Sequence, residues 1–243
     1  MTSANLIPPM KTIGLIGGMS WESTLPYYRI INQTVQERLG GLHSAKLVLV
    51  SVDFSEIEAL QASGNWQAAG SHMAQAARSL AAAGANFVVL CTNTMHKVAS
   101  AIEAAVPLPL LHIADPTAQA LTKAGVTRVG LMGTRFTMEQ DFYRDRLSGQ
   151  HGLQVLTPTE PQCDAVHRII YEELCLGHIR PESRQVYADV MASLASEGAQ
   201  AIVLGCTEIS LLVSQADCTV PLFDTTALHA RAAALHALGE LSV

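Results

Sequence analysis

Charge is scarce in this chain of 243 residues. Only 15% of them are Asp, Glu, Lys or Arg, and lysine occurs at just four positions, Lys11, Lys46, Lys97 and Lys123. No basic run appears and the formal net charge is -6, which argues against a nucleic-acid or anionic-membrane partner. No apolar run reaches the length of a membrane span. The opening MTSANLIPPM lacks the basic and apolar regions of a signal peptide, so a cytoplasmic location is expected. The five cysteines are odd in number and scattered, which excludes a disulfide framework. Without a CxxC pair or a His-x₃₋₅-His spacing, no metal site is expected.

What the chain does have is hydrophobic residues, 49% of the total, arranged as short apolar runs between longer segments of helical period. That alternation predicts a βαβ protein with parallel sheets. The strands are expected at Thr12–Ile16, Lys46–Val52, Phe87–Leu90, Leu108–His112, Arg128–Met132, Gln154–Leu156, Ala201–Leu204 and Leu222–Phe223. SHMAQAARSLAAAG, ending on Gly84, predicts a helix, whereas SGNWQAAG and PTEPQCD read as loops.

Two phrases recur. TIGLIGGMS matches RVGLMGTRF with Gly14 on Gly130 and Gly17 on Gly133, an offset of 116, and GANFVVLCTNTMH matches GAQAIVLGCTEIS at an offset of 114. Two matches at nearly one offset predict a duplicated α/β fold with two pseudosymmetric, Rossmann-like domains, although apolar strands also resemble each other by chance. The expected division is 1-112 plus 224-243 for the first domain and 113-223 for the second. Sites in such sheets form beyond the carboxyl ends of strands, where all four phrases end, so one cleft between the halves is expected.

At those ends stands Cys206, in LGCTE, where a helix N-terminus would favour a thiolate. The bland alternative is a buried core cysteine. Aligning the halves without a gap places Thr92 opposite Cys206 and Cys91 opposite Gly205. A one-residue bulge would instead bring Cys91 to the cleft, so Cys91 stays as the runner-up. Asn93, Thr94, Thr134 and Thr207 are short polar residues at converging strand ends, fit either to bind a substrate or to cap helices. GLIGGMS lacks the GxGxxG spacing of a dinucleotide site, and Gly17 and Gly18 allow close backbone approach. His96 falls about one turn into the next helix and reads as structural, not as a base.

Together GLIGGMSWEST, SVDFSEIEALQ, CTNTMHK, MGTRFTMEQDFYR, IIYEELCLG, GCTEI and PLFDT resemble the aspartate/glutamate racemase superfamily, in particular its bacterial amino-acid racemases, over nearly the whole chain from Met10 onward. The resemblance implies two α/β domains around an active site, a small amino-acid substrate, no cofactor and a homodimer. It also implies two acid/base groups on opposite faces of the substrate Cα, usually two cysteines. Here Thr92 stands where the first cysteine directly precedes Asn-Thr, which implies a Thr92/Cys206 pair. Met19 and Gln61 look like substrate contacts on the same ground. Acid-specific relatives carry a lysine in the segment that here reads IIYEEL, with Glu172 and Glu173. That loss favours broad or neutral substrates without excluding aspartate and glutamate, and Arg135 beside Thr134 is the remaining candidate cation. The rival readings are a hydantoin racemase, a maleate isomerase, an arylmalonate decarboxylase and a catalytically idle amino-acid-binding protein.

Overall fold

The computed structural model describes residues 9–241, so most of the opening segment read for a signal peptide lies outside the described residues. Eight strands form, β1 (Ile13–Gly17), β2 (Leu47–Ser51), β3 (Phe87–Leu90), β4 (Leu110–Leu111), β5 (Arg128–Gly133), β6 (Gln154–Leu156), β7 (Ala201–Gly205) and β8 (Leu222–Asp224). They make two four-stranded parallel sheets of orders β2-β1-β3-β4 and β6-β5-β7-β8. The second order is the first repeated. The registers agree as well: Gly14 pairs with Val88 and Ile16 with Leu90 in the first sheet, Gly130 with Ile202 and Met132 with Leu204 in the second. The internal repeat is therefore a structural duplication, a two-domain α/β fold.

Gly14 and Gly130 lie within the central strands, not in turns after them. A side chain at Gly14 would come within 2.9 Å of the Ala85 Cβ, and one at Gly130 within 2.7 Å of the Ile202 side chain. Gly18 does require its freedom. Its φ is +95°, and a Cβ there would sit 2.2 Å from the Val52 carbonyl oxygen.

Local chemistry sets the helices. Helix Trp66–Ala82 buries Ala69, Met73, Ala76, Ala77 and Leu80 along one face, and the chain leaves it at Gly84 with φ +86°. Both stretches read as loops in the sequence contain helix starts. Asn65 caps the Ala68 amide at 3.2 Å, and Thr159 with Gln162 forms a capping box at the head of helix Glu160–Glu172. Caps share the composition of turns, which is why SGNWQAAG and PTEPQCD read as punctuation.

Helices cover both faces of each sheet. In the first, Ile13, Leu15 and Phe87 pack with Tyr27 and Ile31, while Ile16, Val88 and Leu90 pack with Met73, Leu80 and Ile102. Full burial of each such side chain stabilises the fold by about 1.5–3 kcal/mol. The helix Thr225–Ala237 follows β8 of the second sheet, yet Ala230, Ala233, Ala234 and Ala237 join the Tyr27 cluster. This return, and the packing of Ile113, Ala118 and Leu121 with β5, support the domain division we propose, 1-112 plus 224-243 against 113-223. No helix among the described residues is long and apolar enough to cross a membrane.

Candidate active site

β1, β3, β5 and β7 end around one small cavity. Met19, Gln61, Thr92, Asn93 and Thr94 line it from the first half, and Thr134, Cys206 and Thr207 from the second. Of the candidate acid/base and substrate-binding residues only Cys91 fails to line it, and Gly17, Gly18, His96 and the candidate cation Arg135 are not among the lining residues either. Cys91 is fully buried among Ile13, Leu15, Tyr27 and Ala233, and burial pushes its thiol pKa up. After Leu90 the chain turns, with the Thr92 amide donating to the Leu90 carbonyl at 2.9 Å, and a 3₁₀ helix follows over Thr94–Val98.

Sequence reasoning missed Phe54, Ile170, Tyr171, Cys175 and Gly205 as lining residues, and gave Glu208 no contact. Within the IIYEEL segment, neither glutamate faces the cavity. Glu172 pairs with Arg168 at 3.7 Å, Glu173 accepts from the Ser183 hydroxyl at 2.5 Å, and Tyr171 takes the inward position. The segment's charges drew attention away from its aromatic ring.

Four contacts tie the cavity wall together, and all but that of Asn93 with Thr225 join the two halves. The Thr94 and Thr134 hydroxyls are 2.9 Å apart. Tyr171 Oη donates to Gln61 Oε1 at 2.9 Å. Asn93 Nδ2 donates to Thr225 Oγ1 at 3.1 Å. Ser20 donates to Glu208 Oε1 through its amide at 3.1 Å and its hydroxyl at 2.9 Å. Among the four polar candidates, only Thr134 also caps a helix, accepting from the Thr137 amide at 3.3 Å.

The orientation of Asn93 follows from its partner. Thr225 Oγ1 spends its single proton on the Leu204 carbonyl at 2.8 Å, so it must accept from Asn93. The amide nitrogen therefore points at Thr225, which leaves Asn93 Oδ1 buried and without a partner among the described residues. A buried acceptor left free in a cavity wall is poised for a ligand donor.

Glu208 is only 2% exposed, and its four acceptor positions are filled. Oε1 takes both Ser20 donors, and Oε2 accepts from Thr207 Oγ1 at 2.8 Å and from Cys206 Sγ at 3.0 Å. Burial, and then the Glu208 carboxylate, push the Cys206 pKa well above its ordinary value. This corrects the expected thiolate. The helix after the strand, Ile209–Leu212, has four residues, too short for its dipole to outweigh an adjacent carboxylate. At rest Cys206 is a thiol donating its proton to Glu208.

Behind Thr92 lies a neutral histidine cluster. His96 Nδ1 donates to the Thr92 carbonyl at 2.7 Å while its Nε2 accepts from the Ile113 amide at 3.2 Å. His229 Nε2 donates to the Leu111 carbonyl at 2.8 Å and Nδ1 accepts from Tyr27 Oη at 2.9 Å. Burial lowers all three pKa values, to about 4 for His229 and about 2 for His112, where Arg146 adds repulsion, and well below normal for His96. Since the unfolded state binds these protons more readily, stability is complete above the ordinary value of 6.5 and is lost as pH falls below it. Each group that stays neutral costs about 2 kcal/mol between pH 7 and pH 5. Urea unfolding should show a marked fall in midpoint between these pH values, and an unchanged midpoint would refute the neutral cluster.

Duplicated parallel sheets whose strand ends enclose a polar cavity define the two-domain racemase fold. A Yersinia pestis structure described as an Asp/Glu racemase aligns with a TM-score of 0.87 and 61% identity over 94% of this chain and 100% of that one. An aspartate racemase homologue from Pyrococcus horikoshii aligns at 0.80 and 33% identity over 94% and 99%. The broad specificity amino-acid racemase of Bacillus subtilis is 25% identical over 148 residues, 61% of this chain and 63% of that protein. The chain belongs to the Asp/Glu/hydantoin racemase family, which matches residues 16–233, and with it to the racemases among the isomerases.

Proposed function

We propose that the protein inverts Cα of free amino acids without a cofactor, by proton transfer between Thr92 and Cys206 on opposite faces of the substrate. The observation that carries this reading is the pair itself. Equivalent positions after β3 and β7, Thr92 and Cys206, bring a hydroxyl and a thiol to a single cavity. Asn93 Oδ1 accepts from the substrate ammonium. The hydroxyl proton left free in the Thr94–Thr134 pair, together with backbone amides at the strand ends including that of Thr207, donates to the carboxylate and stabilises the carbanion in which it takes up charge, while the Thr207 hydroxyl stays on Glu208. Met19 and Gln61 complete the enclosure.

The thiol's bond to Glu208 supplies the missing base. When the ammonium enters, the Cys206 proton moves to Glu208 Oε2, and the thiolate takes the Cα proton. Thr92 then delivers its hydroxyl proton to the opposite face, and once the product has left, Glu208 gives its proton to solvent and Thr92 takes one from it before the next turnover. A threonine hydroxyl has an acidity near that of water, about 15.7, so it donates more readily than it accepts. Unequal rate constants in the two directions follow, while the equilibrium between enantiomers stays near one.

Incubation of one pure enantiomer with the protein, with no pyridoxal phosphate added, should end as the racemate at unchanged composition. Retained optical purity would support an idle binding protein, and a changed composition would support a decarboxylase or another isomerase.

We also propose a homodimer. Trp21, Leu25 and Tyr28 stand at i, i+4 and i+7 on helix Trp21–Leu39, exposed by 60%, 53% and 56%, with Leu42 fully exposed beside them. Contiguous exposed apolar patches mark association surfaces. Leu25→Arg should halve the mass measured by light scattering, and a wild-type monomer would refute the dimer.

A further inference from the structure

The cavity contains no basic side chain. Its ionisable lining groups are Tyr171, Cys175, Cys206 and Glu208. Arg135, next to Thr134 in the chain, turns outward to pair with Asp164 and, at 3.5 Å, with Glu139. Lys97 is occupied by Gln140 at 2.5 Å and by the Trp66 ring. The enclosed space therefore holds the Glu208 carboxylate and nothing to balance it. An entering zwitterion brings no net charge, and its ammonium is attracted. A second carboxylate on the substrate would place another anion beside Glu208 in a poorly solvated space.

The far wall of the cavity is equally specific. Tyr171 donates to Gln61, and its ring stacks on Phe54 with centroids 6.1 Å apart, so one side chain of the second half is held by two of the first. Gln61 and Tyr171 also border an outer cleft that carries Glu58, Arg168 and Glu172. Arg168 is paired with Glu172, which leaves the outer cleft acidic through Glu58. The Gln61–Tyr171 hydrogen bond is the partition between the inner polar chamber and that cleft.

We propose that the site selects amino acids whose side chain carries no carboxylate and ends against the Gln61–Tyr171 bridge. This rests on the racemase reading above. Gln61 is held at both atoms, its Oε1 by Tyr171 and its Nε2 donating to Met95 Sδ at 3.1 Å, and it presents its remaining amide hydrogen to the end of the side chain. Length is limited by the partition and charge by Glu208.

The test uses isosteric pairs. Racemisation of glutamine against glutamate, and of asparagine against aspartate, separates charge from size, and kcat/KM should favour the amide member of each pair by about tenfold or more. Equal or greater rates for the carboxylate members would overturn the charge assignment while leaving the racemase intact. Inversion of neither pair would overturn both. For the wall, Gln61→Glu keeps the acceptor for Tyr171 and adds a negative charge, so the ratio of lysine to glutamine racemisation should rise by about tenfold. Tyr171→Phe keeps the stacked ring and releases Gln61 Oε1 as a free acceptor, so the same ratio should rise by a few-fold even if the buried charge of the first variant prevents folding. A ratio unchanged in the folded variants would overturn the wall.

Discussion

Cys206→Ser is expected to lose more than about 99% of racemisation, a barrier increase of about 2.7 kcal/mol or more, while the fold survives. Serine has similar volume, and its hydroxyl can donate to Glu208 as the thiol does at 3.0 Å, so the buried carboxylate keeps its partners. What changes is acidity. A thiol already raised by burial and by Glu208 is still a far stronger acid than an alcohol in the same place, and only the thiol gives a usable base after transfer to the carboxylate. Stability should change by less than about 1 kcal/mol. Residual activity above about a tenth of wild type would refute Cys206 as an acid/base group.

The second large effect separates two neighbours. Thr92→Ala should abolish inversion in both directions, because the second face loses its proton carrier, while Cys206 still exchanges the Cα proton of one enantiomer. Cys91→Ala should instead cost stability, on the order of 1–2 kcal/mol for a fully buried side chain, and leave kcat per folded molecule within about twofold. Thr92→Cys should restore activity and raise it where the hydroxyl limits the rate. Racemisation of both alanine variants, normalised to folded protein, decides between them. An inactive Cys91→Ala with an active Thr92→Ala would assign the role to Cys91.

Much of this frame was legible because each of its strands is a run of apolar residues between turn signals. Gln154–Leu156 and Phe87–Leu90 fall where the pattern places them, and the offset of the repeat reappears as an equal ladder register. β4 is shorter than its hydrophobic run. Pro109 has no amide hydrogen to donate, and His112 Nδ1 accepts from the Ala114 amide at 3.2 Å, which starts the next helix early. The cavity's polar residues were legible as strand-end residues of the two halves. Its electrostatics were not. Glu208 meets Ser20 across 188 positions and Tyr171 meets Gln61 across 110, and a carboxylate's effect on a neighbouring thiol depends on burial that composition does not encode. A local reading of LGCTE weighs the helix start and overlooks the acid two residues on, which the fold turns back onto the sulfur.

The most direct test of two-sided proton transfer is the placement of deuterium. A neutral amino acid that the wild-type protein inverts, supplied as one pure enantiomer in deuterated buffer, is followed by NMR and chiral separation through the first few per cent of conversion. Two groups on opposite faces, only one of them charged with solvent deuterium at the delivering position, predict deuterium at Cα of the product enantiomer while the recovered starting enantiomer keeps its hydrogen. Deuterium appearing equally in both enantiomers at the outset would mean that a single group serves both faces, and the account given for Thr92 and Cys206 would be wrong.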